Sequence, residues 1–234
     1  MTIADNISRI RAEIAEAATA SGRRPGDVVL LAATKTQPVN RISEAIEAGI
    51  DVCGENKVQE MLLKWDAYAG RPPHFIGRLQ RNKCRQIVGK VPLIHSVDSL
   101  PLAQEIHRCA KAFGIVQDVL LEVNIGQEPT KGGFIPDAGA LPLNEIMQLS
   151  GIRVRGLMCI PPPSVSNEES LKFFSGMKHF FVDITSKFCD NTINGNAASQ
   201  FDILSMGMSD DYALAVRCGS TLVRVGSAIF GSRF

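Results

Sequence analysis

The stretch Val28–Lys35, VVLLAATK, is the part of the sequence that decides the fold. Its short, continuous run of apolar and β-prone residues is typical of a strand buried on both faces of a parallel sheet. The run leads through Thr34 to a lysine, and a charged amine at the end of such a strand is costly to bury without a partner or a task. Burial generally lowers the pKa of a lysine, and a neutral amine can attack an aldehyde. Lys35 is therefore either a residue that forms a Schiff base or a solvated lysine just past the strand.

Strand and helix patterns alternate on both sides of this segment. Strands are predicted over 28–34, 50–53, 73–76, 93–96, 118–125, 152–159, 201–205 and 221–225. Helices are predicted over 3–21, 39–48, 56–67, 80–88, 99–113, 138–149, 167–187 and 209–218, with a short helix after Gly226. Such alternation indicates parallel strands joined by helical crossovers. It predicts an α/β fold, a single-domain TIM (β/α)8 barrel over residues 1–234 with an extra N-terminal helix, and an open doubly wound sheet is the alternative.

The composition is that of an ordinary globular protein. The 234 residues are 45% hydrophobic, and 25 Lys and Arg against 24 Asp and Glu give a net charge of +1. This balance offers no attraction for nucleic acid or an anionic membrane, and no apolar run is long enough to cross a bilayer. The N-terminal segment carries acidic residues and helical spacing and does not look like a signal peptide. We therefore expect a cytoplasmic protein, with no nucleic-acid or membrane partner.

Cysteine and histidine spacing gives no sign of a metal site. The six cysteines and four histidines are scattered, without a C-x-x-C or an H-E-x-x-H motif. The segment 190–199, DNTINGNAAS, is expected to be a polar surface excursion. We predict reduced, mostly buried cysteines and no bound metal.

In a (β/α)8 barrel, the residues at the carboxyl ends of the strands form the functional face. Lys35 lies at the end of the first strand, and the loops after the last two strands carry SMGMS and VGSA. Gly207 and Gly226 would let backbone approach an anion, Ser209 is a good N-cap, and Ser227 could begin a short helix. These features predict a phosphate site, although two ordinary strand-to-helix turns would look similar.

Charged residues near these loops need an explanation. Asp210 and Asp211 follow Ser209, and we expect both to point to solvent as dipole partners of a helix. Arg224 lies in an otherwise apolar strand, where it would either face a ring nitrogen of a heterocycle or pair with Glu55 or another carboxylate. A phosphate site, a lysine and an arginine on one face together describe a pocket for pyridoxal 5'-phosphate (PLP).

Seven segments extend this description to a known family. In order along the chain they are AATKTQP, CGENKVQE, HFIGRLQRNK, VNIG, VRGLMCIPPP, LSMGMSDDYALAV and STLVRVGSAIFG. They resemble the pyridoxal phosphate homeostasis proteins, which are single-domain relatives of the alanine racemase barrel. The resemblance implies that Lys35 carries PLP as a covalent aldimine and that Arg224 lies by the pyridine nitrogen. It also implies that Asn56 lines the pocket and that the phosphate lies at Ser205, Gly207, Met208, Ser209, Gly226 and Ser227. Cys53 stands where the family usually has an aromatic residue.

The sequence favours a PLP carrier over a PLP enzyme. A racemase needs acid–base groups on both faces of the substrate carbon, and the two tyrosines, Tyr68 and Tyr212, fall in predicted helices. An arginine at the pyridine nitrogen would keep it unprotonated and weaken the ring as an electron sink. We therefore expect no catalytic residues and, as the resemblance implies, a role in storing, delivering or buffering vitamin B6. The alternatives are an amino-acid racemase or other PLP enzyme, and a sugar-phosphate barrel with Schiff-base chemistry.

The segment Arg78–Lys90 holds most of a basic run that could contact a partner. A solvated helix face is the ordinary explanation, and the resemblance adds transient contact with PLP-dependent apoenzymes. His74 and His95 are expected to form hydrogen bonds at strand ends, and Lys131 to be solvated. We expect a monomer.

Overall fold

The strands predicted from the sequence close into a barrel. The computed structural model describes residues 1–137, 139–162, 166–190 and 201–231, with side chains left undescribed for 188–190. Within these ranges, parallel strands follow one another in chain order, and the last pairs with the first. The strands are β1 Val29–Ala33, β2 Val52–Glu55, β3 His74–Phe75, β4 Leu93–Val97, β5 Gln117–Val123, β6 Ile152–Cys159, β7 Ile203–Ser205 and β8 Leu222–Val225. The predicted TIM (β/α)8 barrel is confirmed, and the open sheet is wrong.

Helices surround this barrel. They are α1 Ile3–Ala20, α2 Val39–Glu47, α3 Val58–Leu63, α4 Cys84–Ile87, α5 Leu100–Ala112, α6 Leu143–Met147, α7 Asn167–Asp190, α8 Tyr212–Arg217 and α9 Ser227–Phe230. Short 3₁₀ turns lie at Pro25–Asp27, Trp65–Tyr68 and Arg81–Lys83. None of the helices in the described ranges combines the length and hydropathy that crossing a membrane requires.

The extra N-terminal helix is confirmed as an amphipathic helix that packs on the barrel's outer layer. Its isoleucines recur at helical spacing and are buried: Ile3, Ile7, Ile10 and Ile14. Thr2 and Asp5 form a capping box that satisfies backbone N–H groups at its start. The helix contacts α8, α2 and α9, and the side chain of Asn6 donates to the carbonyl of Ile229 at 3.0 Å. It therefore covers the seam where the last helices meet the first.

Alternation along the strands separates the barrel interior from the layer between barrel and helices. Leu93, Leu120 and Met158 form a small apolar cluster distinct from the large outer core. Leu31 pairs in register with Arg224 on β8, and a Cβ at Gly54 would lie 2.4 Å from the side chain of Leu31. Residues in this phase face the interior. Cys53 is in the opposite phase and belongs to the outer core.

Several predicted helices are shorter than expected. The helix predicted over 56–67 ends at Leu63 and gives way to a 3₁₀ turn, and the one predicted over 138–149 begins only at Leu143, after Pro142. The helix predicted from residue 209 begins at Tyr212 with Asp211 at its N-cap. The predicted excursion over 190–199 lies outside the described residues, apart from the backbone of Asp190.

Candidate functional site

The end of β1 and the loop after β8 lie side by side at the mouth of the barrel. Ala32 pairs in register with Val225, and a Cβ at Gly226 would lie 3.5 Å from the Cβ of Ala33. Lys35 follows two residues after Ala33, in the turn closed by the hydrogen bond from the N–H of Gln37 to the carbonyl of Thr34 at 3.0 Å, and is partly buried. The predicted lysine and one of the two predicted phosphate loops therefore meet at the same edge.

Ser209 joins the two loops that were predicted to bind phosphate. Its Oγ accepts hydrogen bonds from the N–H of Gly226 at 3.0 Å and the N–H of Ala228 at 3.2 Å. The prediction that Ser209 caps the following helix is wrong, because its hydroxyl bonds to the other loop. Since a serine hydroxyl that accepts two hydrogen bonds still has its own O–H to donate, Ser209 can offer a donor to an anion. Ser227 begins α9, as expected.

The two glycines of these loops serve different purposes. Gly207 has a φ of +93°, and a Cβ there would lie 2.6 Å from the Cβ of Ala215 and 3.1 Å from the Cα of Tyr212. Both the left-handed backbone and the packing require glycine at this position. Gly226 has a φ of −120°, and a Cβ there would make only ordinary contacts. Gly207 is therefore dictated by the fold, whereas Gly226 is not.

Asp211 does not point to solvent as expected. Its Oδ1 accepts a hydrogen bond from the N–H of Met208 at 2.6 Å, and burial raises the pKa of this carboxyl. The N–H of Met208 is thus already bonded, and the residue as a whole is 37% exposed. The other acidic residue, Asp210, is exposed as predicted. Because its N–H donates to Asp211, Met208 has no backbone donor left for an anion in this structure.

Arg224 of β8 lies buried inside the barrel and donates hydrogen bonds to oxygen atoms of β7 and β6. Its Nη1 donates to the carbonyl of Ser205 at 2.8 Å and to Ser205 Oγ at 2.5 Å. Its Nη2 donates to the carbonyl of Cys159 at 2.9 Å. Burial lowers the pKa of the guanidinium, while the charge of Glu122 acts in the opposite direction. The predicted alternative of a pair with Glu55 is wrong, because Glu55 faces outward and accepts from Thr34.

Ser205 links Arg224 to two histidines. His95 Nδ1 lies 3.1 Å from Ser205 Oγ, and His74 Nδ1 lies 3.0 Å from His95 Nε2. Burial lowers the pKa of His74 to about 4 and that of His95 well below its usual value. Both rings are therefore neutral at pH 7. The histidines form hydrogen bonds at strand ends, as expected, but their chain to Arg224 was missed because it depends on side chains from four strands. The structure shows Ser205 in contact with Arg224 and His95, and its contact with a phosphate stays a prediction.

Two further residues at the mouth have unusual surroundings. Burial, and then the charge of Asp98, raise the pKa of Glu122 at the end of β5 to about 7. This residue was missed, although a carboxylate in the apolar run QDVLLEV was a visible signal.

At the end of β2, the buried Oδ1 of Asn56 has no hydrogen-bond partner among the described residues. A Cβ at Gly77 would lie 2.2 Å from the carbonyl oxygen of Asn56, so close packing fixes the backbone of Asn56.

Comparison with known proteins identifies the family. The family described as alanine racemase, N-terminal domain, matches residues 3–234. The pyridoxal phosphate homeostasis protein of Aquifex aeolicus is 39% identical over 235 residues, covering 100% of this chain and 99% of the relative. The chain belongs to the pyridoxal phosphate homeostasis protein family. The homologue of Pseudomonas aeruginosa, with the same name, is 38% identical over 99% of this chain and 96% of its own. The resemblance inferred from the sequence segments is confirmed.

Solved structures agree with this membership. PipY of Synechococcus elongatus, solved with PLP bound, is 31% identical with a TM-score of 0.82, covering 98% of this chain and 100% of that chain. A structure from Bifidobacterium adolescentis is 37% identical with a TM-score of 0.86, covering 97% of this chain and 94% of that one. Alanine racemase of Clostridium difficile in complex with cycloserine, at 18% identity and a TM-score of 0.68, shares the fold over 88% of this chain and 56% of its own. This chain therefore shares the barrel fold of that racemase.

Proposed function

We propose that this protein binds PLP at the mouth of the barrel and serves the intracellular homeostasis of vitamin B6, without catalytic turnover. The observation that carries the proposal is the register pair of Ala32 with Val225, which brings the loop at Gly226 next to the end of the strand that leads to Lys35. The names of the relatives and the PLP bound to PipY support the same ligand. We also propose that residues 1–234 form a single PLP-binding domain.

The residues present fit the chemical groups of PLP. Lys35 would supply the amine that condenses with the aldehyde of PLP, with loss of water, in the covalent aldimine that we propose. The O–H of Ser209 would donate to the phosphate, and the loops that contain Gly207, Met208, Gly226 and Ser227 would surround it, although the N–H groups of Gly226 and Met208 already donate to Ser209 and Asp211. Arg224, supported by Ser205, would face the pyridine nitrogen. The buried acceptor Oδ1 of Asn56 would receive a donor from the ligand.

The positions of the tyrosines favour a carrier over a racemase. The hydroxyl of Tyr212 donates to Glu13 of α1, and Tyr68 is buried in the outer layer, where burial and then the charge of Glu55 raise the pKa of its hydroxyl. Neither of the chain's two tyrosines is placed to reach a substrate carbon above the barrel mouth. A guanidinium at the pyridine nitrogen would also leave the ring a weak electron sink.

Absorbance spectroscopy tests PLP binding directly. The protein incubated with PLP is expected to show a visible aldimine band that borohydride removes. Lys35→Ala should lose the band, whereas Lys90→Ala should retain it, because Lys90 lies before β4 at the opposite end of the barrel. A colourless wild-type protein would favour a sugar-phosphate barrel and contradict the proposal. Racemisation of added amino acids by the wild type would contradict a carrier without catalytic turnover and support the alternative of an amino-acid racemase.

We further propose that the protein is a cytoplasmic monomer that meets PLP-dependent apoenzymes transiently. The cysteines whose side chains the structure describes are free thiols, as in a reducing compartment. Arg78, which follows β3 at the barrel mouth, has a side chain that is 81% exposed. A pull-down with an apoenzyme at low and high salt, comparing wild type with Arg78→Glu, tests this surface. Equal capture of both proteins at low salt would exclude it.

A further inference from the structure

Both neighbours of Lys35 are anchored to groups outside the barrel. Thr34 Oγ1 donates to Glu55 Oε1 at 2.6 Å, and the carbonyl of Thr34 accepts from Lys64 Nζ at 3.2 Å. On the other side, the N–H of Thr36 donates to Glu60 Oε1 at 2.5 Å. The backbone that carries Lys35 is therefore held before and after the lysine.

Lys64 connects these two anchors. Its Nζ lies 2.5 Å from Glu60 Oε1 and 3.7 Å from Glu55 Oε1, and its side chain is only 13% exposed. Glu60 and Lys64 are four residues apart at the end of α3, so both side chains leave the same face of the helix. One ammonium thus bridges two carboxylates and the Thr34 carbonyl.

The conformation of Thr36 shows that this anchoring has a cost. Its φ of +64° is left-handed, a region that β-branched residues rarely occupy. Such a conformation persists only where the surroundings over-determine it. The hydrogen bond to Glu60 is one contact that does so, and it acts on the residue directly after Lys35.

Stability of the barrel is a weak explanation for this cluster. Glu55 is fully buried, and burial raises its pKa, whereas Thr34 and Lys64 lower it. Its Oε2 and the hydroxyl of Tyr68 are both buried and have no partner within hydrogen-bond distance among the described residues, although the Tyr68 hydroxyl is near enough to lower the pKa of Glu55. Buried ion pairs contribute little compared with apolar residues of similar volume. A partly satisfied charged cluster next to a reactive lysine is better explained by positioning.

We propose that Lys64, together with Glu55 and Glu60, is a positioning cluster that fixes the segment Thr34–Thr36 so that the Lys35 amine meets the PLP aldehyde. The inference rests on the proposed function of Lys35. Lys64 would promote formation of the covalent bond between Lys35 and PLP and would not help to hold the phosphate or the ring. Loss of the cluster should therefore affect an aldehyde ligand and spare a ligand that has no aldehyde.

The test compares PLP with pyridoxine phosphate, which has an alcohol in place of the aldehyde. Lys64→Met should weaken PLP binding by about tenfold or more, the scale expected when a reactive group loses its preorganised position. Binding of pyridoxine phosphate, measured by calorimetry, should stay within about twofold because no covalent bond is involved. Lys90→Met is the matched control and should bind both ligands as the wild type does.

A second pair of variants keeps the test informative if Lys64→Met does not fold. Glu60→Ala removes the acceptor of the Thr36 N–H and should selectively weaken PLP binding, whereas Glu60→Gln retains an acceptor and should restore part of it. Equal losses for both ligands, or unchanged PLP binding in the folded variants, would overturn the inference. A wild-type protein that binds PLP no better than pyridoxine phosphate would instead refute the proposed function.

Discussion

Replacing the glycine of each phosphate loop by alanine should separate the demands of the fold from those of a ligand. At Gly207 the added methyl group would lie 2.6 Å from the Cβ of Ala215, on a backbone with a φ of +93°. At Gly226, where φ is −120°, the nearest atom would be the Cβ of Ala33 at 3.5 Å. The two changes add the same atom to neighbouring loops in different surroundings.

The expected cost follows from these contacts. A left-handed conformation costs a residue with a Cβ about 1–2 kcal/mol, and an extra methyl group in a packed core costs about 1–3 kcal/mol. Gly207→Ala should therefore lower the free energy of unfolding by about 2–5 kcal/mol. For a chain of 234 residues, this corresponds to a fall in Tm of roughly 4–20 °C. Gly226→Ala meets neither penalty and should cost about 1 kcal/mol or less.

Urea unfolding of the PLP-free variants, followed by circular dichroism, measures both values. The slope of the free energy against urea concentration should stay that of the wild type, so that a change in midpoint reports stability. Equal destabilisation by the two variants, or a larger loss for Gly226→Ala, would refute the reasoning about these loops.

Three further predictions concern the barrel interior and α8. Burial raises the pKa of Glu122 from 4.5 to about 7. Between pH 7 and pH 4.5, the Glu122 carboxyl is therefore more protonated in the folded protein than in the unfolded chain. The stability of wild type relative to Glu122→Gln should rise by about 3 kcal/mol as the pH falls from 7 to 4.5, and a pH-independent difference in urea unfolding would contradict this. Tyr212→Phe should lower stability by about 1 kcal/mol while leaving the borohydride-trapped PLP unchanged, and a loss of trapping would place Tyr212 in the site. Arg224→Lys, which loses the planar fork that bonds Cys159 and Ser205, should cost about 1–3 kcal/mol in thermal unfolding, and an unchanged Tm would argue against these contacts.

The barrel could be predicted because its signals are local. The strand β1, Val29–Ala33, differs from the predicted strand 28–34 by one residue at each end. The isoleucines of α1 recur with the period of a helix. Parallel strands in chain order then place every strand end at one mouth. Lys35 and Gly226 could be assigned to the same face without knowledge of any contact.

The details of the site could not be predicted because they depend on competition between residues far apart in sequence. Ser209 and Asp211 are both residue types that favour the N-cap position of a helix. Only the packed structure shows that Ser209 bonds the loop after β8 while Asp211 occupies the N-cap position of α8. The chain from His74 to Arg224 needs the closed barrel, since it joins β3, β4, β7 and β8.

The outer cluster behind Lys35 was hidden for a related reason. Glu55 was visible as a charged residue at the end of β2, but its direction depends on strand phase, and Lys64 lies where the predicted helix proved to end. The outward direction of Glu55 excluded the pair with Arg224 and created the contact with Thr34. A shift of β2 by one residue would have turned Glu55 toward the barrel interior, where Arg224 lies, and away from Thr34.

The most direct measurement is peptide mass spectrometry of the full-length protein after incubation with PLP and reduction with borohydride. The account predicts one pyridoxyl group on the peptide that contains Lys35, and none on the peptide that contains Lys64. A pyridoxyl group on Lys64 or on another lysine, with the Lys35 peptide unmodified, would contradict it.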